Sequence, residues 1–271
     1  MVFRAGRRLA LAVLLLPAAD VDAQSVLLQM RPRVGDTLYL RLEQQIEMRG
    51  VPHAGIDAGP VTNATMRVRA RAIPTEVTGG IATLVTITDS VSVSPAEAIP
   101  MLERARRALQ GRRAQVRVQP DGSMELVDPT QHVDESAPLF SNMPAVLPPT
   151  PVRRGDTWVR QMKLPIRPSR AREASVRATL RLDSLSRDSQ MAYISIRGAF
   201  YETPAGSDSV AQRELQGSLV GAIEFNRRLG WITSSNTTVT LRSHVRMPPP
   251  RANPMEVWLR VTQRLTAQTT P

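Results

Sequence analysis

Strict alternation of apolar and polar residues is the feature that most constrains this fold. In residues 65–73 the even positions are apolar and three of the odd positions are arginine. The same pattern recurs in residues 175–183 and 114–119. A period of two is typical of antiparallel strands that pack one face on a core and expose the other to water. The sequence therefore predicts a mainly β protein.

One stretch has helical spacing instead. Apolar residues recur every three or four positions from Ile99 to Leu109, and Gly111 supplies a stop. Pro100 suits the first turn of a helix, where its missing N–H has no partner to lose. We expect one short helix over residues 100–110.

The chain carries the same landmarks twice. Gly-Asp-Thr precedes an extended stretch at residues 35–37 and again at 155–157, and Leu-Gln-Gly follows at 109–111 and 215–217. Such spacing indicates an internal duplication, although both tripeptides are also common turn sequences. We expect an antiparallel curved sheet, or an open or half barrel, built from two similar halves. Two small β-sandwich-like units are the alternative.

The predicted organisation has five parts. These are a signal peptide (1–23), a first β half (24–128), a proline-rich connector (129–154), a second β half (155–267) and a tail (268–271). The prolines of the connector predict an extended crossing between the halves.

The first residues predict export. Three arginines precede an apolar run that ends at Pro17, and Val21-Asp22-Ala23 offers a cleavage site. The run is short for a membrane span, although an uncleaved anchor or a helix of the fold is the alternative. We expect a periplasmic or extracellular protein with no transmembrane span in the mature chain. With no cysteine in the sequence, a lipid anchor and disulfides are excluded.

The usual catalytic and metal-binding motifs are missing. His53, His132 and His244 lie in no metal-ligand spacing, and the sequence has no nucleophile elbow or glycine-rich phosphate loop. Asp36 and Asp156 are candidates for a catalytic carboxylate pair, but an aspartate that follows glycine at a strand entrance is more typical of a turn cap. We expect no catalytic residue, no metal and no cofactor, and therefore a protein that is not an enzyme.

Residues 147–158 (LPPTPVRRGDTW) carry a recognisable motif. Leu147-Pro148, Pro151-Val152, Gly155-Asp156 and Trp158 resemble the pattern LPxxPVxxGDxW of a family of uncharacterised exported bacterial β proteins, and Gly221, Phe225-Asn226 and Gly230 resemble its later hairpin. The resemblance implies an exported β domain and no particular activity. A looser architectural likeness is to periplasmic half-barrel lipoprotein carriers, whose strands wrap an apolar cavity with a helix near its mouth.

Two binding surfaces are candidates for function. A lipid or other amphiphile would lie on an apolar inner face of Met66, Val68, Leu84, Val116, Val118, Leu180, Leu182, Ile194 and Ile196. Alternatively, a structural or interaction module of the envelope would use a cationic face of Arg67, Arg69, Arg71, Arg177 and Arg181. That face requires the two arginine strands to be neighbours, and it would hold an anionic lipid or polymer. An ordinary solvated face explains the same arginines.

Charge alone does not identify the partner. The formal net charge of +11 favours anionic neighbours. Aromatic residues are only 4% of the chain, so stacking platforms for nucleic acid are scarce and none is expected as a partner. A hydrolase with an unrecognised site is the third hypothesis.

Overall fold

A computed structural model describes seven parts of the chain: residues 25–52, 61–95, 100–127, 146–163, 175–202, 213–245 and 255–270. The predicted signal peptide, the connector up to residue 145, His53 and His132 lie outside the described residues.

The described residues form one open antiparallel sheet with one helix. Its strands are β1 (Leu38–Pro52), β2 (Val61–Thr78), β3 (Ile81–Ser94), β4 (Arg113–Val118), β5 (Met124–Leu126), β6 (Thr157–Lys163), β7 (Ser175–Leu185), β8 (Met191–Glu202), β9 (Arg213–Asn226), β10 (Trp231–Val245) and β11 (Met255–Gln268). This confirms the mainly β prediction with a single curved sheet, and the alternative of two sandwiches is wrong.

The strand order joins the two halves through β1 and β11. The order is β5-β4-β3-β2-β1-β11-β10-β9-β8-β7-β6, so that each half is a meander of neighbouring strands. Leu42 of β1 lies opposite Val68 of β2 and Leu265 of β11. The sheet therefore runs without a break from one half to the other.

One face of this sheet is almost free of charge. The registers place most of the buried apolar positions of the strands on the same side, which we call the inner face. Among strand residues whose side chains are described, Arg160 is the only charged one on it, and its guanidinium donates to the carbonyl of Leu147. The other charged strand residues whose side chains are described lie on the outer face.

The sheet curls so that its two edges approach each other beside the turn between β4 and β5. Val146 donates its N–H to the carbonyl of Asp121, beside β4 and β5 (3.0 Å). Trp158 of β6 donates its indole N–H back to the carbonyl of Val146 (2.9 Å). The segment 146–152 thus bridges the first half to the second.

A second segment crosses the inner face. Residues 25–31, which we call the strap, bury Val26, Leu28 and Met30. Its main-chain hydrogen bonds join Val26 to Val152 in both directions, Met30 to Pro120 and Arg31 to Gly230. The strap therefore fills part of the concavity with the chain's own side chains.

The predicted helix is confirmed as α1 (Pro100–Leu109). Leu102, Ala105 and Leu109 pack against the inner face at Met66 and Val68. Glu103 lies in its first turn, paired with Arg106 (2.7 Å). The helix covers the part of the inner face around Met66 and Val68.

The two Gly-Asp-Thr sequences form the same turn. Asp36 donates its N–H to Arg33, and Asp156 donates its N–H to Arg153. The Asp156 carboxylate also accepts the Arg153 N–H (2.7 Å), as expected of a turn cap. The duplication itself stays a prediction.

Candidate functional site

The nine predicted apolar ligand residues all lie on the inner face, and all are buried. Their exposed fractions run from 0% at Leu180 to 3% at Ile196. Met66 and Val68 lie beneath α1, whereas the other seven belong to the cluster that includes the strap and residues 146–152. A ligand would reach them only by displacing one of these covers, so their role in binding stays a prediction.

A different part of the inner face is only half covered. Val239 of β10 and Leu259, Val261 and Leu265 of β11 are partly buried on this face. Leu259 packs against both core clusters and therefore marks the boundary between them. We call these four residues the inner strip. Residues 256–265 alternate in sequence as a strand does, but no pattern indicated that this strand would lie at the centre of the sheet.

A row of neutral polar side chains crosses the inner strip. Gln44 of β1 lies opposite Gln263 of β11, which lies opposite Thr237 of β10. All three are half-buried. The neighbouring rows contain Leu265 on one side and Val261 on the other. The surface therefore offers hydrogen-bonding groups without charge between apolar flanks.

A partly open cavity of about 30 Å³ lies between the strap and the sheet. Its lining is almost wholly apolar and includes Met30, Leu40 and Leu84, with Thr86 as a polar member. This volume holds about one water molecule, which would need two or more polar partners to be well held. Thr86 already donates its hydroxyl to the carbonyl of Ala114 (3.2 Å).

Trp231 borders the same cavity with an unsatisfied donor. The residue is 3% exposed, and its indole N–H has no acceptor among the described residues. A buried donor left without a partner costs about 1–3 kcal/mol. An occupant that supplies an acceptor oxygen would recover this free energy.

A second concavity lies along the proline-rich segment. It has a volume of about 510 Å³, is open to solvent, and is lined by residues 148–152 and 155–158. Asp156 is its one titratable side chain, and that carboxylate caps a turn. This crevice lacks the paired groups that acid–base chemistry requires.

The predicted continuous cationic face is not formed. Strands β2 and β7 are separated by five strands, so the two groups of arginines lie apart. On the first half, Arg67 pairs with Glu43 (2.8 Å) and Arg71 with Asp89 (2.7 Å). The hydrogen bond from Arg67 lowers the pKa of the Glu43 carboxyl below its ordinary value. Anion binding by each separate group stays a prediction.

The other titratable candidates do not converge. No group of three His, Cys, Asp or Glu side chains that could hold a metal occurs in the part of the chain that the structure describes. Asp36 and Asp156 precede β1 and β6, which five strands separate. The side chain of His244 is outside the described set. Within the described ranges, no helix has the length and apolarity to cross a bilayer.

Comparison with known proteins gives weak structural similarities. No protein-family model matches the chain, and no curated protein sequence matches it. Lipovitellin, in a structure concerned with lipid–protein interactions, aligns at 13% identity and a TM-score of 0.47, covering 89% of this chain and 26% of its own. An outer membrane channel from Pseudomonas putida F1 aligns at 10% identity and a TM-score of 0.23, covering 88% and 97%. Both scores are low, so functional conclusions rest on the geometry of this chain itself.

Proposed function

We propose that this chain is an exported, non-catalytic protein that binds a lipid or other amphiphile on its inner face. The observation that carries the proposal is an inner sheet face on which Arg160 is the only charged residue among the described side chains, and whose central strip is only partly buried. Burying apolar surface at such a strip stabilises a complex by roughly 25 cal/mol per Å² removed from water. Export rests on the arginine-rich, apolar start of the sequence.

The polar row that crosses the inner strip favours an amphiphile over a purely apolar ligand. Gln44, Gln263 and Thr237 bring neutral hydrogen-bonding groups between the apolar rows. A hydrocarbon laid across them would leave those groups without partners, which costs free energy. A molecule with an apolar chain and an uncharged polar group would satisfy both kinds of surface.

Trp231 supports the same ligand chemistry. Trp231, whose indole N–H is unsatisfied, lines an apolar cavity beneath the strap. An ester or carbonyl oxygen on an apolar chain would supply the missing acceptor once Met30 moves aside. This favours a ligand with an acylated polar group.

Native mass spectrometry of protein purified from its own envelope tests the proposal, followed by lipid extraction of the same sample. We expect an added mass that the extraction identifies as an amphiphile. A bare polypeptide mass, together with no uptake of an apolar fluorescent probe by the purified protein, would exclude an amphiphile-binding role.

Two neighbouring substitutions on β11 give a matched test. Val261→Arg places a charge in the inner strip, whereas Thr262→Arg places the same charge on the opposite face of the same strand. We expect the first to abolish probe uptake and the second to leave it unchanged. Circular dichroism of both variants checks that the sheet is intact.

Absence of catalysis is part of the proposal. The hydrolase alternative has no paired acid–base or nucleophile geometry among the described residues to support it. We expect no turnover in a broad esterase, phosphatase and glycosidase screen, and reproducible turnover by a homogeneous preparation would overturn the non-catalytic assignment.

A further inference from the structure

The outer face of β6–β9 carries a group of three closely spaced arginines. Arg177 and Arg181 lie on β7 on either side of Thr179, and Arg197 of β8 lies directly opposite Thr179. All three arginines are exposed. Diagonal neighbours of this kind have Cα atoms about 7–8 Å apart, so Arg197 lies within reach of both of the others.

The three outer-face rows that contain these arginines include no carboxylate. Three successive outer-face rows run across β6, β7, β8 and β9: Gln161, Arg177, Ala199, Ser218; Val159, Thr179, Arg197, Val220; and Thr157, Arg181, Ser195, Ala222. Asp183 is the carboxylate that comes nearest on β7, with its Oδ1 at 3.9 Å from the Nε of Arg181, beyond hydrogen-bonding distance.

The arginines of the first half are arranged differently. Arg67 and Arg71 each have a carboxylate partner within hydrogen-bonding distance. An arginine-rich composition explains the number of arginines in both halves, but the close carboxylate partners of Arg67 and Arg71 have no counterpart among the described residues at Arg177 and Arg197.

Exposed apolar side chains flank the same arginines. Val159 is 49% exposed and Val220 is 51% exposed, and both lie in the row that contains Arg197. At about 4.8 Å between strands, the two valines are roughly 14 Å apart, with the arginines between and beside them. We call Arg177, Arg181, Arg197, Val159 and Val220 the outer patch.

We propose that the outer patch docks the protein on the surface of an anionic lipid bilayer. Guanidinium groups bind lipid phosphates through paired hydrogen bonds, and the valines enter the boundary between headgroups and acyl chains. A soluble acidic polymer would match the arginines but would leave both valines in water. The combination of charge and apolar surface therefore favours a membrane.

Vesicle co-sedimentation tests the docking site directly. The full mature chain is mixed with vesicles of phosphatidylcholine, with and without phosphatidylglycerol. We expect binding only to the anionic vesicles and a steep loss of binding as salt is raised. Equal binding to both vesicles, or binding to neither, would overturn the proposal.

A pair of triple variants separates the outer patch from overall charge. Arg177→Gln/Arg181→Gln/Arg197→Gln removes three charges from the outer patch, and Arg67→Gln/Arg69→Gln/Arg71→Gln removes three from β2. One basic residue near an anionic surface contributes about a fivefold change, so we expect a loss of roughly a hundredfold for the first variant. The second should change binding less than threefold, and an equal loss in both would show that net charge alone is responsible.

Smaller changes distinguish a membrane from a polymer. Val159→Ser/Val220→Ser should weaken vesicle binding and leave binding to soluble dextran sulfate unchanged. Dextran sulfate binding that depends on the arginines, with no effect of the valines on vesicle binding, would instead assign the patch to an acidic polymer. The single variant Arg197→Gln should also weaken binding to anionic vesicles, with less effect on folding than the triple variant. Uptake of an apolar probe should be normal in all of these variants, because the outer patch and the inner face are on opposite sides of the sheet.

Discussion

Substitution of Gly230 by alanine tests how firmly the strap is held on the inner face. Gly230 has a φ of +60°, and a Cβ added there would lie 2.5 Å from the carbonyl oxygen of Arg31. Gly79 has a φ of +61° and nothing within 4 Å of the added Cβ. Gly79→Ala is therefore a matched control with the same left-handed backbone and no neighbour to displace.

The expected magnitudes follow from this comparison. A non-glycine residue in the left-handed region costs about 1–2 kcal/mol, and both variants share this cost. Gly230→Ala must in addition move the strap, because the contacting atoms are main chain. Overpacking costs about 1–3 kcal/mol, and loss of the Arg31–Gly230 hydrogen bond costs about 0.5–1.5 kcal/mol. We expect Gly230→Ala to lower the free energy of unfolding by about 2–4 kcal/mol more than Gly79→Ala.

Guanidinium unfolding followed by circular dichroism measures this difference, provided that both variants unfold in one transition. Uptake of an apolar probe is the second readout, and it should rise in Gly230→Ala because a displaced strap uncovers inner-face side chains. Equal destabilisation by the two substitutions would refute the close contact between the strap and Gly230. Greater destabilisation with unchanged uptake would refute the idea that the strap limits access.

Three further predictions use other local contrasts. Trp158→Phe breaks a hydrogen bond to a buried carbonyl, whereas Trp231→Phe removes an unpaired donor. In delipidated protein we expect the free energy of unfolding to be at least about 2 kcal/mol lower for Trp158→Phe than for Trp231→Phe. Equal values would indicate that Trp231 has a partner. Arg67→Gln should raise the pKa of Glu43 towards its ordinary value, measured by NMR titration. Because the pKa of Glu43 is lowered in the folded state, the stabilisation it brings is present above the unfolded pKa and is lost as pH falls through the folded pKa. If the free energies of unfolding of the variant and the native chain differed equally in acid and at neutral pH, this would be contradicted. Hydrogen exchange should be faster at the Arg31 amide than at the Leu42 amide, and an added amphiphile should increase the exchange rate at Arg31. Exchange at Arg31 that is slowed by the amphiphile would show that ligand and strap bind together.

Local structure was largely predictable because the alternating pattern is strong. The alternating pattern of residues 65–73 predicted Met66 and Val68 on one face and the arginines on the other, and β2 has this arrangement. The helix was predictable from its apolar spacing and a following glycine. Both signals depend on neighbouring residues only, so no long-range information was needed.

Strand order was not predictable from the same patterns. Whether β2 and β7 are neighbours depends on which strands pair at the junction of the halves, and many pairings bury the same alternating faces. The sheet instead joins β1 to β11. This choice separated the arginines expected to be together, whereas the β7–β8 hairpin places Arg197 beside Arg177 and Arg181.

The covering of the inner face was also hidden from sequence reasoning. Residues 25–31 have three apolar residues at alternate positions, Val26, Leu28 and Met30. This pattern is too short to indicate which surface they cover. Exposure of the inner strip likewise depends on where α1 and the strap end, which is a tertiary property. The half-exposed residues Val239 and Val261 therefore had no distinguishing signal.

An approximate free-energy comparison explains why the strap is suited to compete with a ligand. Full burial of Val26, Leu28 and Met30 contributes about 1.5–3 kcal/mol each, and the four strap hydrogen bonds to Val152, Pro120 and Gly230 contribute about 0.5–1.5 kcal/mol each. Ordering the backbone of residues 25–31 costs about 1–2 kcal/mol per residue. The two sides are similar in size, so docking of the strap adds only a few kcal/mol of net stability, the same size as the loss expected for Gly230→Ala. An amphiphile that buries comparable apolar surface and satisfies Trp231 would therefore displace the strap with little net cost, while the eleven-stranded sheet beneath it stays folded.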